Sequence, residues 1–159
     1  MNQQLLFTPG PVNLAQNVRE AICKYDICHR EIDFDYLLQS IENKLLALFE
    51  IKNTANYRAV VITGSGTAAN ESMLSSVVGG KNILILSNGE FGERLHGISK
   101  IHNENTFLLE FDWGEKLSLK KIKDFLRIQK IDVIAMVHHE TSSGMLNPLE
   151  KIGKLSKSH

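Results

Sequence analysis

Short apolar runs alternate with helical patterns from residue 59 onward, and this alternation is the strongest constraint on the fold. Helical periodicity covers 67–78, 91–102 and 118–130. Alternation of this kind predicts an α/β fold, a three-layer sandwich with helices on both faces of a mostly parallel sheet. The predicted buried strands are rich in β-branched and aliphatic residues; they are AVVIT at 59–63, NILILS at 82–87, TFLLEF at 106–111 and DVIAMV at 132–137.

The first part of the chain predicts a turn followed by two helices. Pro9 and Pro11 restrict φ in TPGP, and Asn13 is a predicted N-cap for a short helix through LAQNVREAICK. Ser118 is the corresponding N-cap later in the chain. The second helix begins near Phe34, and its apolar positions recur at helical spacing; they are Leu37, Leu38, Ile41, Leu45, Leu48 and Phe49.

Composition excludes several classes of function. The chain has 159 residues and a formal net charge of zero, whereas proteins that bind nucleic acid or membrane surfaces carry basic patches. No apolar run is long enough to span a bilayer, and MNQQLLFTPGPV lacks the basic start and apolar segment of a secretory signal. Cys23 and Cys28 make no disulfide framework. We therefore expect a cytoplasmic protein without nucleic-acid or membrane partners.

Three loops rich in glycine and small polar residues follow predicted strands, at the sheet edge where α/β proteins bind ligands. They read GSGT, NGEFGER and HHETSSG. In the first, the amides of Gly66, Thr67 and Ala68 can bind an anion at a helix N-terminus, with Ser65 adding a hydroxyl. A plain strand-to-helix turn with Thr67 as N-cap is the alternative.

The other two loops also allow two interpretations. Phe91 can cover a planar ligand ring or anchor the next helix to the core, and Arg94 is interpreted as an ion-pair or capping residue. In HHETSSG the H-E-x-x-H zinc pattern is absent, and adjacent histidines on a strand face opposite ways. The segment CKYDICH also lacks four ligands at zinc spacing. We expect no metal site.

Four motifs together resemble the class V aminotransferases of the fold-type I pyridoxal-phosphate (PLP) enzymes. They are LFTPGPVN at 6–13, TGSGTAANESML at 63–74, NGEFGERL at 88–95 and HHETSSGMLNPL at 138–149. With CHREIDF at 28–34, the pattern looks most like the 2-aminoethylphosphonate–pyruvate branch. Alanine–glyoxylate transamination, or a cysteine-desulfurase-like lyase activity, is the alternative within the class.

The resemblance implies a role for individual residues. Ser65, Gly66 and Thr67 would hold the PLP phosphate, Phe91 would stack on the pyridine, and Thr141 would place a hydroxyl near the ring oxygen. On the substrate side, Gly10 and Pro11 would line the entrance. Arg30 would bind an anionic substrate group or, alternatively, form an ion pair with Glu31 or a second subunit.

The resemblance also implies residues that this sequence does not contain. In the family, the Schiff-base lysine and the aspartate on the pyridine nitrogen follow the HHETSSG region, beyond His159. Lys151, Lys154 and Lys157 have the spacing of a solvated helix face. We therefore expect no catalytic residue in the chain, an N-terminal arm at 1–35 and a partial PLP-binding domain at 36–159.

The predicted function is that of part of an aminotransferase that moves an amino group from an amine donor to the 2-oxo acid pyruvate. In the family such enzymes are homodimers. The chain alone is expected to be inactive and to bind PLP weakly or not at all. A non-catalytic module that binds a phosphate-bearing ligand, or pairs with another subunit, is the alternative from a different class.

Overall fold

A computed structural model describes residues 4–24 and 26–158 and divides the chain into two compact units. The first unit is Met1–Thr63 and the second is Gly64–His159. The functional division into an arm at 1–35 and a cofactor domain at 36–159 stays a prediction. No helix in the described residues is both long and apolar enough to cross a bilayer.

The first unit is helical. It contains α1 (Gln16–Ile22), α2 (Ile32–Leu48) and a short 3-10 helix at Thr54–Asn56. The prediction of α2 is confirmed, but the prediction that Asn13 caps α1 is wrong. The N-cap is Ala15, which has no side-chain cap, and the Asn13 side chain instead accepts a bond from the Leu6 amide at 2.7 Å.

The predicted strand at 59–63 is also wrong. This segment forms no strand in the described structure, and Val60, Val61 and Ile62 are 79%, 55% and 46% exposed. A strand requires a neighbour that completes its backbone hydrogen bonds, and no described segment pairs with it. The apolar residues at 59–63 are those of a buried strand, but the described residues contain no neighbouring strand that pairs with them.

The second unit is the α/β part of the chain. Its helices and strands, in order, are α3 (Gly66–Val77), β1 (Ile83–Ser87), α4 (Glu90–His102), β2 (Thr106–Glu110), α5 (Leu119–Ile128), β3 (Val133–Met136), β4 (His139–Glu140), β5 (Met145–Leu146) and α6 (Leu149–Lys157). Strands β1, β2 and β3 form a parallel sheet in the order β2-β1-β3, and β4 and β5 form a short antiparallel hairpin.

Strand β1 is buried along its whole length because it is the central strand and both faces of the sheet are covered. Leu84 and Leu86 pack on one face in a cluster with residues of α5 and α6, including Ile122 and Ile152. On the opposite face, alternate β1 residues pack in a second cluster; its buried members are Leu74, Val78, Ile83, Ile85, Leu95 and Ala135. The predicted three-layer arrangement is therefore confirmed.

Candidate functional site

The N-termini of α3 and α4 point toward the same edge of the sheet. Both helices end near the start of β1, where the Asn103 side chain, directly after α4, donates to the Lys81 carbonyl at 2.6 Å. Lys81 in turn donates its amide to Val78, which follows α3, at 3.0 Å. Helices that end at the amino edge of a parallel sheet begin toward its carboxyl edge, where ligands bind.

Helix α3 begins with an open first turn. Ser65 is its N-cap and accepts a hydrogen bond from the Ala68 amide through Oγ, at a long 3.4 Å. The interpretation of Thr67 as N-cap is therefore wrong, because Thr67 lies inside the helix. The amides of Gly66 and Thr67 have no acceptor among the described residues, and Ser65 and Gly66 are exposed. Free amides at a helix N-terminus are suited to an anion.

Phe91 lies in the first turn of α4 and is half-buried. Among the described residues it belongs to neither core cluster, which disfavours the interpretation of Phe91 as a core anchor. Arg94 forms an ion pair with Glu90 at 2.7 Å, as predicted, and its guanidinium carbon lies 5.0 Å from the centre of the Phe91 ring. A cation over one ring face is a favourable contact.

Thr141 begins the tight turn between β4 and β5. The turn needs Gly144, whose φ of 72° is in the left-handed region. Thr141 is half-buried, and its hydroxyl has no hydrogen-bond partner among the residues described. The predicted HHETSSG loop is therefore a hairpin turn that follows the carboxyl end of β3.

Glu140, which no sequence pattern indicated as a site residue, joins this hairpin to α4. Its carboxylate is fully buried and accepts hydrogen bonds from the amides of Phe91 at 3.4 Å and Gly92 at 3.0 Å. Ser142 donates its hydroxyl to the same carboxylate at 2.5 Å and accepts from the Glu90 amide at 3.1 Å. Gly89 is the one sequence signal for this contact: a Cβ added at position 89 would lie 2.5 Å from Glu140 Cγ, so the close approach of Glu140 requires glycine there.

A second buried polar pair, also missed, supports the same edge. The side-chain amides of Asn88 and Asn147 bond each other twice, at 2.9 and 3.0 Å. Asn88 also donates to the Glu115 carbonyl, and Asn147 to the Val137 carbonyl. Because buried amides are costly unless they are hydrogen-bonded, this pair fixes where β1 and β3 end.

The remaining predicted site residues lie in the first unit. Gly10 and Pro11 are exposed and joined by a cis peptide bond, and the Thr8 hydroxyl donates to the Pro11 carbonyl at 2.5 Å. Arg30 is exposed, and in the part of the chain that is described it forms no ion pair with Glu31. Their roles toward a substrate stay predictions.

Two further observations concern the candidate metal ligands and the lysines. The described residues contain no group of three or more His, Cys, Asp or Glu side chains that could hold a metal ion. Lys151, Lys154 and Lys157 are exposed on α6, and Lys154 forms an ion pair with Glu150. The prediction of a solvated lysine face is confirmed.

Known proteins match this chain along its whole sequence. The chain is 36% identical to the 2-aminoethylphosphonate–pyruvate transaminase of Phocaeicola vulgatus over an alignment of 162 positions, gaps included, which covers 100% of the chain and 44% of the relative. It is 34% identical to a bifunctional phosphonoacetaldehyde hydrolase/aminoethylphosphonate transaminase of Clostridioides difficile, across 99% of the chain and 25% of that protein. The chain is homologous to aminotransferases over its full length. It spans less than half the length of these relatives.

A solved structure agrees with this homology. The alanine–glyoxylate aminotransferase of Nostoc matches with a TM-score of 0.86 and 29% identity, covering 99% of this chain and 41% of that chain. No protein-family model matches the sequence. The resemblance to class V, fold-type I, PLP-dependent aminotransferases is confirmed, and so is the fold class.

The residues of the second unit fit the cofactor that this homology implies. The dianionic phosphate of PLP needs free donors, and the Gly66 and Thr67 amides, with the weakly engaged Ser65 hydroxyl, are such donors. A bound pyridine ring would need an aromatic surface, and the oxygen on that ring would need a hydrogen-bond donor. Phe91 in the first turn of α4 and Thr141 directly after β4 are the residues that would supply them.

Proposed function

We propose that this chain supplies the phosphate-binding and ring-binding part of a PLP-dependent aminotransferase. The observation that carries the proposal is the open first turn of α3 at the same edge of the sheet as Phe91 and Thr141. In such an enzyme the cofactor, when bound, supplies the electron sink for amino-group transfer. The chain's own residues bind and orient that cofactor.

Each of these residues has a separate task. The amides of Gly66 and Thr67 would bind phosphate oxygens, and the partial positive charge at the start of α3 would favour the dianion. The Ser65 hydroxyl oxygen accepts the long bond from the Ala68 amide, and its own proton would donate to a phosphate oxygen. Phe91 would cover one face of the pyridine, and the Arg94 guanidinium lies over the Phe91 ring. Thr141 would donate its hydroxyl to the ring oxygen.

The proposed reaction is transfer of an amino group from 2-aminoethylphosphonate to pyruvate. It is supported by the names of the relatives from Phocaeicola vulgatus and Clostridioides difficile, and Arg30 is the proposed contact for the anionic substrate. Alanine–glyoxylate transamination is the alternative, since the similar solved structure from Nostoc is that of an alanine–glyoxylate aminotransferase. A homodimeric state and a cytoplasmic location are also proposals.

The chain alone is proposed to be inactive, because none of its described lysines lies in a strand or in the residue directly after one. Purified chain with PLP, 2-aminoethylphosphonate and pyruvate should form alanine at the rate of free PLP. A faster rate contradicts the proposed inactivity.

A substitution at α3 tests the phosphate site without unfolding it. Thr67→Asp places a negative charge in the first turn, which favours the helix but repels phosphate. We propose that the unmodified chain binds pyridoxamine 5'-phosphate weakly and expect this variant to lose that binding; the probe lacks the aldehyde that reacts with surface lysines. Thr67→Asn is the uncharged control of similar size. Equal affinities of the two variants contradict the phosphate site.

Pairing with another polypeptide is a second candidate function, favoured by exposed apolar side chains. Tyr36, Val60 and Val61 line one surface groove and are 63%, 79% and 55% exposed, and large exposed apolar patches mark association sites. Sedimentation of the purified chain should therefore detect concentration-dependent association. A chain that sediments as a monomer at all concentrations would contradict this second candidate function.

A further inference from the structure

The first turns of α3 and α4 differ in one respect that bears on the cofactor. Both begin toward the carboxyl edge of the sheet, and both have amides that the helix itself cannot satisfy. In α3 the Gly66 and Thr67 amides have no described acceptor, whereas in α4 three successive amides are bound by the hairpin: Glu90 by Ser142, and Phe91 and Gly92 by Glu140.

The group that occupies the start of α4 is an internal anion. Glu140 is 0% exposed, and its carboxylate receives four hydrogen bonds: two from α4 amides and two from the Ser142 amide and hydroxyl. A carboxylate at a helix N-terminus is stabilised by the helix dipole. A phosphate therefore meets an occupied, negatively charged site at α4 and an open one at α3.

The same carboxylate connects the two side chains that would touch the cofactor ring. One of its oxygens bonds the Phe91 amide, and Glu140 directly precedes Thr141 in the chain. Gly89 permits this contact, because any Cβ there would lie 2.5–2.7 Å from Glu140 and Ser142 atoms. A shift of Glu140 would move Phe91 and Thr141 relative to one another.

We propose that Glu140 is a positioning residue for the cofactor site, a role that rests on the proposed function. Its buried carboxylate fills the N-terminus of α4 and holds Phe91 and Thr141 at fixed positions relative to one another, where the pyridine ring would bind. It does not touch the cofactor. Its removal therefore weakens binding of the ring and leaves binding of the phosphate unchanged.

The test compares two ligands by amide NMR of the full chain. Inorganic phosphate reports the α3 site alone, and pyridoxamine 5'-phosphate reports phosphate plus ring. In Glu140→Gln, whose side chain has the same shape without the charge, we expect the dissociation constant of pyridoxamine 5'-phosphate to rise about tenfold and that of inorganic phosphate to stay the same. Amide exchange at Phe91 and Gly92 should also accelerate.

Glu150→Gln is the matched control, since Glu150 is an exposed carboxylate that pairs with Lys154 on α6. We expect it to change neither constant. If Glu140→Gln does not fold, Ser142→Ala serves instead, because it removes one hydroxyl and keeps the carboxylate. It should weaken pyridoxamine 5'-phosphate binding less, and again leave phosphate binding unchanged.

The outcomes separate the two proposals. If the Gly66 and Thr67 amides of the unmodified chain respond to neither ligand, the proposed function is overturned, and this inference with it. If they respond, the positioning role alone is overturned by either of two results: Glu140→Gln weakens the binding of both ligands equally, or it weakens the binding of neither. Unchanged amide exchange at Phe91 and Gly92 also overturns it.

Discussion

Gly92 in α4 lies directly against Ser87 at the end of β1, so that a Cβ on Gly92 would be 2.7 Å from the Ser87 Cα. That approach brings the first turn of α4 onto the sheet edge. We predict that Gly92→Ala lowers the free energy of unfolding by about 1–3 kcal/mol, because the added methyl group forces the helix away from the strand. Urea unfolding of the purified chain measures the change.

Gly97→Ala in the same helix is the control for this prediction. A Cβ at Gly97 meets no atom within 4 Å, and alanine is the better helix former. It should raise the free energy of unfolding by about 0.5–1 kcal/mol. If both substitutions change stability in the same direction, the close contact with Ser87 is not what position 92 requires.

The Asn88–Asn147 pair predicts strong coupling between two positions distant in sequence. Asn147→Leu leaves the buried Asn88 amide without one partner and should cost about 1–3 kcal/mol of unfolding free energy. Asn88→Leu should cost a similar amount. The double variant should cost less than the sum, because the second substitution removes the group left unpaired. Additive single changes in a double-mutant cycle would contradict a direct bond between the two amides.

His96 predicts a specific dependence of stability on pH. Burial, and then the charge of Lys100, lower the pKa of His96 below its ordinary value of 6.5, while Glu110 acts in the opposite direction. As pH falls through 6.5 the unfolded chain takes up the proton first, so the free energy of unfolding decreases until the pH is below the pKa of the folded state.

Two variants measure this contribution of His96. His96→Gln should give a flatter profile of unfolding free energy against pH below 6.5. Lys100→Gln removes one cause of the lowered pKa and should flatten the profile in part. If the free energy of unfolding of both variants falls with pH as steeply as that of the unmodified chain, groups other than His96 cause the acid sensitivity.

Sequence patterns predicted those parts of the fold that are determined locally. The periodicities that predicted α2, α3, α4 and α5 and the three sheet strands correspond to helices and strands in the structure, because burial on one or two faces determines those patterns. Ser118 caps α5 as predicted. The strand predicted at 59–63 did not form, since an apolar run indicates a need for a neighbouring strand but does not supply one.

The candidate site was predictable only in part. Glycine and hydroxyl residues after strands indicated where ligand-binding loops lie, and the resemblance assigned roles to Ser65, Phe91 and Thr141. Glu140 was not predictable from its own segment, because its partners are the amides of residues 48 and 49 positions earlier in the chain. A lone glutamate among polar residues has the same sequence signal whether it is solvated or buried.

One titration tests most directly whether the start of α3, with Phe91 and Thr141, is a PLP site. Amide NMR of the chain is recorded with increasing pyridoxamine 5'-phosphate and, separately, with pyridoxamine, which lacks the phosphate. We predict that the phosphorylated probe shifts the amides of Gly66, Thr67, Phe91 and Thr141 together, with a single dissociation constant, and that pyridoxamine binds far more weakly. Equal responses to the two probes, or shifts confined to other residues such as the α6 lysines, would contradict the account.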